Sequence, residues 1–387
     1  MKILTVLTYY RPHTSGLTIY VERLAKSLVQ LGHEVTVLTS QYDQDLPSEE
    51  VVDGVRIVRA PVLFRVSKGV IMPTFGWLAF KLVASHDVVH LHLPQFDAAG
   101  VALKSKLLRK PSVITYHCDL LLPSSIINRL INAVVHLMNH LAGFLADRIC
   151  AYTDDFASHS PYLLRFKDKL EVIYPPVVMP PVTEGAVERF RAKVNPGNQS
   201  PVIGMATRFA TEKGVEILLK ALPGVLEKYP DAKVLYAGQY QDVMGETAYF
   251  QRLLPLIQSY QEQDSWEFLG VLDQKEMASF YSCLDVLVVP SLNSTETFGL
   301  VQIEAMIRGT PSIASNLPGV RVPPRLTGMG EVVPIGDAEA LKEAILRIVS
   351  SPEKYHRSGE EVAELFNPLV NAAAYQALYT RLLEDIS

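Results

Sequence analysis

The chain has 387 residues, of which 48% are hydrophobic and 20% are charged, and its formal net charge is −5 at pH 7. This length exceeds one ordinary hydrophobic core and predicts two domains, and the composition excludes a disordered protein. No apolar run reaches the roughly 18 residues that a membrane-spanning helix needs.

The first half of the chain alternates apolar strands with helices. Strands are predicted at 2–7, 34–39, 55–58, 88–91, 112–116, 148–152 and 170–174, and helices at 16–31 and 98–108. Because strands alternate with helices, the pattern predicts a parallel, doubly wound sheet.

A proline-rich segment at 174–181 separates this half from the next, because it can continue neither a helix nor a central strand. The same alternation restarts at 202–206 and ends in a mostly helical segment from 337 to 386. We therefore predict two Rossmann-like domains, 1–180 and 181–368, with the terminal helix at about 369–387 packing back on the first. Such domains bind ligands beyond the carboxyl ends of their strands, in a cleft between them.

Charge and cysteine content bear on partners and compartment. Residues 1–180 contain 18 Lys and Arg against 15 Asp and Glu, so this half is basic and the remainder acidic. That asymmetry is a weak signal of an anionic partner for the first half. Cys118, Cys150 and Cys283 have no metal-like spacing and the start lacks the pattern of a secretory signal, so we expect a cytoplasmic protein.

Two cations follow the first strand of the second half. Arg208 and Lys213 precede a helix that begins at about Gly214. A guanidinium binds phosphate oxygens in a bidentate way and an ammonium adds a point charge. Cations oppose the dipole at a helix start, which is reasonable if an anion binds there. The alternative is a solvated pair of side chains beside Glu212.

Two carboxylates flank another helix start. Glu296 precedes the helix that Gly299 opens, and Glu304 lies within it. The first amides of a helix suit a phosphate. Carboxylates suit hydroxyl groups instead, so this stretch predicts a polyol carried on a phosphate.

The first half carries a glycine and three histidines at predicted strand ends. Gly16 either lets a phosphate approach a helix start or is a plain turn residue. A G-x-G-x-x-G fingerprint is absent, which argues against a nicotinamide enzyme. His90, His92 and His117 are either zinc ligands or buried supporting residues, and His117 is the strongest functional candidate of the three.

Together these motifs resemble the retaining glycosyltransferases of family 4, which have the GT-B fold of two Rossmann-like domains facing a central cleft. The resemblance covers nearly the whole chain. Its elements are the Ser15-Gly16 loop, His90-Leu-His92, Ile114-Thr-Tyr-His117, Arg208 through Gly214, Phe268-Leu-Gly270, Pro290-Ser291, the Glu-x7-Glu pair of Glu296 and Glu304, and Glu304-Ala-Met-x-x-Gly-x-Pro311.

The resemblance implies a role for each matched residue. Arg208 and Lys213 would neutralise the leaving diphosphate of a nucleoside-diphosphate sugar, with UDP or GDP as the nucleotide. Glu304 would hold ribose hydroxyls and Glu296 those of the sugar. Further donor contacts would come from Gly16 to phosphate, His117 beside the reacting carbon, Val271 near the base, and the backbone amides of Phe298, Gly299 and Leu300.

The resemblance also implies front-face substitution without a protein nucleophile, no cofactor and no essential divalent metal. The sequence departs from the family pattern at Ser15-Gly16, Pro175-Pro176 and Pro318-Gly319. The last departure lies on the donor side and leaves the sugar open.

Three functions compete. We expect transfer of a hexose to a hydroxyl of a lipid, a glycan or a small molecule, without nucleic acid as a partner. A non-catalytic nucleotide-sugar-binding protein and a nucleotide-sugar epimerase are the alternatives on the same fold.

Two segments of the first half combine apolar and basic residues. Residues 124–146 predict an amphipathic helix with Ile127, Leu130, Leu137 and Leu141 on its apolar face and Asn128 on the other, and residues 65–81 mix Lys68 with aromatic side chains. Either they dock on an anionic bilayer as a peripheral anchor, or they pack into the core of their own domain.

Overall fold

The computed structural model of the chain describes residues 1–66, 69–120 and 126–385, with side chains from residue 129 onward in the last range. Lys68 therefore lies outside the described residues, as do Ser124 at the start of the predicted amphipathic helix and the side chains of Ile127 and Asn128.

The chain forms two compact units, Met1–Pro176 with Phe366–Ser387 and Val177–Leu365. These bounds differ by a few residues from the predicted ones at 180 and 368. Each unit contains its own sheet and is described separately below.

The first unit is built on a largely parallel sheet of eight strands, and a separate hairpin adds two more strands. The strands are β1 (Lys2–Val6), β2 (Glu34–Gln41), β3 (Glu49–Val52), β4 (Val55–Pro61), β5 (Phe64–Val66), β6 (Gly69–Ile71), β7 (Val88–Leu93), β8 (Ser112–Tyr116), β9 (Arg148–Ala151) and β10 (Leu170–Val172). In the sheet their order is β10-β9-β8-β7-β1-β2-β4-β3, and only the β3–β4 pair among these strands is antiparallel.

Helices connect these strands, as the parallel order requires. They are α1 (Gly16–Gln30), α2 (Phe75–Ser85), α3 (Ala98–Leu107), α4 (Ile126–Leu145) and α5 (Asp154–Ala157). Ser15 caps α1 by accepting a hydrogen bond from the backbone N–H of Thr18 at 3.2 Å, which satisfies an otherwise orphan donor of the first turn.

The second unit is a six-stranded parallel sheet in the order β13-β12-β11-β14-β15-β16. Its strands are β11 (Val202–Ala206), β12 (Lys233–Ala237), β13 (Trp266–Gly270), β14 (Val286–Val289), β15 (Ser312–Ser315) and β16 (Gly330–Val333). Its helices are α6 (Glu184–Val194), α7 (Val215–Lys228), α8 (Thr247–Glu262), α9 (Gln274–Ser282), α10 (Leu300–Ile307), α11 (Val322–Thr327), α12 (Ala338–Ser350) and α13 (Gly359–Leu365).

Both faces of this second sheet are covered by apolar side chains. In β12, Val234 and Tyr236 pack into one core while Leu235 and Ala237 pack into the other. Successive strand residues point to opposite faces, so a continuous apolar run indicates a sheet that is buried on both sides. The predicted GT-B class of two parallel α/β domains is confirmed at the level of each domain.

The last helix, α14 (Pro368–Glu384), belongs to the first unit. The side chain of Asn367 caps it by accepting a hydrogen bond from the N–H of Leu369 at 2.9 Å. The hydroxyl of Tyr375 lies 2.8 Å from that of Tyr20 on α1, and both rings are buried. Among the described residues, every helix is too short or too polar to span a bilayer.

Candidate active site

The loop between β11 and α7 is held at the carboxyl edge of the second sheet. Thr207 donates its backbone N–H to the carbonyl of Ala237 at 2.9 Å, and Phe209 donates to that of Gln239 at 2.7 Å. Both acceptors lie at or just beyond the end of β12, so two neighbouring strand ends are tied together. This anchoring positions Arg208 and Lys213 at the edge where open α/β sheets bind ligands.

Gly214 lets this loop turn into α7. Its φ is +69°, and a Cβ at this position would lie 2.1 Å from the carbonyl oxygen of Pro290. No side chain fits so close to a backbone atom, and the left-handed φ itself favours glycine. The contact also brings the loop after β11 against the loop after β14, which precedes Glu296.

Lys213 and Glu296 form an ion pair across these two loops. The ammonium of Lys213 lies 2.6 Å from the Oε2 of Glu296, and the two side chains are 16% and 21% exposed. Arg208, in the same loop as Lys213, pairs with Glu212 and is more exposed. Partial burial strengthens the Lys213–Glu296 attraction relative to water and still leaves the pair accessible to a ligand.

The start of α10 follows Glu296 directly. Gly299 precedes Leu300 with a φ of +75°. The buried side chain of Gln302 donates to the carbonyl oxygens of Phe298 and Val320, at 2.9 Å each, and accepts from the hydroxyl of Ser312 at 2.9 Å. These bonds fix the loop so that the first amides of α10 form a rigid helix start that suits an anion.

Glu304 lies one to two turns into α10 and is only 9% exposed. The buried hydroxyl of Tyr281 donates to its Oε2 at 2.9 Å. Tyr281 was not predicted as a site residue, because nothing in its local sequence distinguishes it from a core tyrosine of α9. Val271 follows β13 at the same edge and is exposed.

Gly16 and His117 belong to the first unit. Gly16 opens α1 with no atom within 4 Å of where a Cβ would stand. His117 follows β8 and is buried, with its Nε2 2.9 Å from the Nδ1 of His92 and its Nδ1 bonded to the hydroxyl of Tyr152. Burial lowers the pKa of His117 to about 3. The ring is therefore neutral near pH 7, and both of its nitrogens already have partners.

The other two histidines continue this buried network. His90 lies between the hydroxyls of Thr115 and Tyr379, 2.7 Å from each. Burial lowers the pKa of His90 to about 3, and burial with the neighbouring histidines lowers that of His92 well below its usual range. Within the described part of the chain, no group of three or more His, Cys, Asp and Glu side chains is arranged to hold a metal. The side chains of His90 and His92 are both fully buried.

Each unit has the parallel α/β fold of the GT-B class. Residues 186–364 match the family model described as glycosyl transferases group 1, and residues 14–179 match that of glycosyltransferase family 4. The chain belongs to the glycosyltransferases of family 4.

Known relatives include sugar transferases with named acceptors. The 2-deoxystreptamine N-acetyl-D-glucosaminyltransferase of Streptomyces fradiae is 28% identical, with 89% of this chain and 84% of that protein covered. The phosphatidyl-myo-inositol mannosyltransferase of Mycolicibacterium smegmatis is 25% identical, with 91% and 86% covered. Anabaena HepE, solved in complex with UDP, superimposes with a TM-score of 0.75 at 18% identity, with 98% of this chain and 100% of that chain covered.

Proposed function

We propose that the protein is a retaining glycosyltransferase that moves a hexose from a nucleoside-diphosphate sugar to a hydroxyl acceptor. One observation carries the proposal. The ammonium of Lys213 and the carboxylate of Glu296 are 2.6 Å apart beside the start of α10. A cation for phosphate and a carboxylate for hydroxyls therefore adjoin, which matches a ligand in which a sugar is joined to a diphosphate.

The donor would lie along the carboxyl edge of the second sheet. Arg208, Lys213 and the amides of Phe298, Gly299 and Leu300 would hold the diphosphate, because these donors are charged or belong to a helix start. Glu296 would accept hydrogen bonds from sugar hydroxyls. Glu304 would accept them from the ribose, since its side chain is oriented by Tyr281. The base would lie near Val271.

Arg208 and Lys213 would act on the leaving group. As the glycosidic bond breaks, negative charge develops on the departing diphosphate, and fixed cations stabilise that charge most in the transition state. These two cations supply the charge that a divalent metal supplies in other enzymes, so turnover should persist in EDTA. Front-face substitution would keep the configuration of the sugar and requires no protein nucleophile.

Gly16 and His117 would contribute from the first unit. Open space at Gly16 is compatible with a phosphate that approaches the start of α1. His117 is bonded at both ring nitrogens, so a direct contact with the donor requires it to release His92 or Tyr152. Its neutral ring would then offer a hydrogen bond to the sugar or the phosphate.

The names of the relatives narrow the acceptor to be tried first. 2-Deoxystreptamine and myo-inositol are both cyclitols, one free and one within a lipid, and each names the acceptor of a relative. A cyclitol hydroxyl is therefore our first candidate among the lipid, glycan and small-molecule classes.

A donor panel tests the proposal. Release of nucleoside diphosphate is measured from UDP- and GDP-hexoses, with and without a cyclitol acceptor, for the wild type, Glu296→Ala and Glu216→Ala. Glu216 is the matched control, because its side chain is 22% exposed against 21% for Glu296 and it also pairs with a cation, Arg252. We expect turnover with one donor that Glu296→Ala abolishes and Glu216→Ala retains.

The same panel distinguishes the two alternatives. Binding of a donor without turnover under any acceptor would support a non-catalytic protein. Conversion of the donor to an isomeric sugar without an acceptor would support an epimerase.

A further inference from the structure

Helix α4 exposes its apolar side. The outward row consists of large side chains at helical spacing: Leu130 is 67% exposed, Leu137 56%, Leu141 42% and Phe144 67%. The smaller Ala133 lies in the same row and is also exposed. Residues spaced by three, four and seven positions share one face of a helix, so these side chains form a continuous apolar stripe.

The fully buried residues in the described part of α4 are small or polar. They are Asn139, Ala142 and Gly143. The side-chain amide of Asn139 accepts the N–H of Gln95 at 3.2 Å, yet its Nδ2 has no partner among the described residues. A helix that packs by burying its largest apolar side chains would turn Leu130, Leu137 and Leu141 toward the protein. The interpretation of α4 as a helix whose leucines face the core is therefore wrong for Leu130, Leu137 and Leu141.

Two neighbouring helices extend the stripe. Helices α2, α3 and α4 pack on one core of the first unit through Ala79, Val101 and Ala142. On their outward sides, α2 exposes Trp77 and Phe80, and α3 exposes Leu103 and Leu107. The ammonium of Lys81 lies 3.4 Å from the centre of the Trp77 ring. Amphipathic aromatic rings and lysines of this kind are typical of the boundary between a bilayer and water.

The charged residues within these three helices are of one sign. Helices α2, α3 and α4 carry Lys81, Lys104, Lys106 and Arg129, and none of the three contains Asp or Glu. An apolar stripe on helices that carry basic residues and no acidic ones complements a partner that is both apolar and anionic. A symmetric dimer would instead bring the like charges of two copies together.

We propose that the outward face of α2, α3 and α4, which we call the docking face, binds the surface of an anionic lipid bilayer. The α4 stripe enters the acyl boundary while Lys104, Lys106 and Arg129 contact the phosphates. This inference does not depend on the transferase assignment, because vesicle binding requires neither a donor nor an acceptor.

Flotation at low salt tests the proposal, with vesicles that contain about 30% phosphatidylglycerol in phosphatidylcholine. The wild type should float with these vesicles and remain largely unbound with pure phosphatidylcholine. Leu137→Gln/Leu141→Gln should lower the partition coefficient about tenfold or more, because two leucines no longer enter the apolar layer. Gln retains helix propensity, and circular dichroism checks the fold.

A charge variant and two controls complete the design. Lys104→Gln/Lys106→Gln should bind anionic vesicles about tenfold less and with weaker salt dependence. Leu256→Gln on α8 and Lys220→Gln/Lys228→Gln on α7 alter exposed residues of the second unit and should bind as the wild type does. Absence of wild-type flotation, or equal flotation of all variants, would overturn the proposal. So would sedimentation of the wild type as a dimer that Leu137→Gln/Leu141→Gln dissociates.

Discussion

Lys213 and Glu296 are 83 positions apart in the chain and meet because β11 and β14 are neighbours in the second sheet. Loops that follow adjacent parallel strands emerge at the same edge, so residues from both can share one ligand. Each residue was predicted from its own motif. Their pairing was not predicted, because strand order is a property of the whole sheet.

Glu296→Gln keeps the shape of the side chain and removes its charge. We expect kcat to fall by about 10²–10³-fold, as for loss of one preorganised transition-state contact. Affinity for the nucleoside diphosphate should not fall, because the carboxylate competes with phosphate for Lys213. Steady-state kinetics and a nucleotide titration provide both values, with Glu216→Gln as the control. An unchanged kcat would refute the role assigned to Glu296.

The buried histidines make a second residue-level prediction. His90 has a folded pKa of about 3 and an ordinary value of 6.5. Below pH 6.5 the unfolded chain therefore binds a proton that the folded chain excludes, and stability falls as the pH falls. One such histidine lowers the free energy of unfolding by about 2 kcal/mol between pH 7 and pH 5.

His90→Gln should remove that share of the pH dependence. Hydrogen-exchange protection factors of β8 amides, compared at pH 7 and pH 5, report the opening of the first unit. The free energy of opening should decrease between pH 7 and pH 5 by about 2 kcal/mol less in His90→Gln than in the wild type. The exposed His159→Gln should behave as the wild type does. An identical decrease in all three proteins would show that His90 is charged in the fold.

Among the elements, regular strands and helices were predictable and their exceptions were not. Apolar runs such as Lys233–Ala237 predicted strands because both faces of the sheet are buried. The antiparallel β3 and the β5–β6 hairpin were missed, since they are short and largely exposed. The orientation of α4 was also beyond prediction, because its amphipathic pattern alone does not say which side meets the protein.

Gly214 is the element boundary most sensitive to substitution. Gly214→Ala should destabilise the second unit by at least about 3 kcal/mol, from a strained φ and a clash with the backbone of Pro290. Urea unfolding followed by the fluorescence of the buried Trp266 measures this loss. Gly185→Ala in the first turn of α6, where a Cβ meets only the flexible side chain of Arg189 at 3.6 Å, is the control. Equal stability of both variants would argue against the observed turn.

For the whole molecule, the repeated strand–helix alternation was sufficient to predict the fold class. Each half of the chain carries the pattern of a doubly wound sheet, and each forms one. The return of the last helix to the first unit was predicted, but the contact between the hydroxyls of Tyr20 and Tyr375 was not, because no local pattern contains it. The substrates depend on a few side chains at the sheet edges, which is why the fold alone leaves them open.

Nucleotide binding tests the central claim most directly. Calorimetric titration of UDP and GDP into the wild type, Arg208→Gln, Lys213→Gln and the control Arg252→Gln compares the proposed diphosphate site with an exposed arginine that pairs with Glu216 instead. We expect one nucleotide to bind the wild type and the control equally. Each site substitution should weaken that binding by about 10–100-fold, the value of one hydrogen bond to a charged group. Wild-type affinity in both site variants would contradict the claim that Arg208 and Lys213 hold the leaving group.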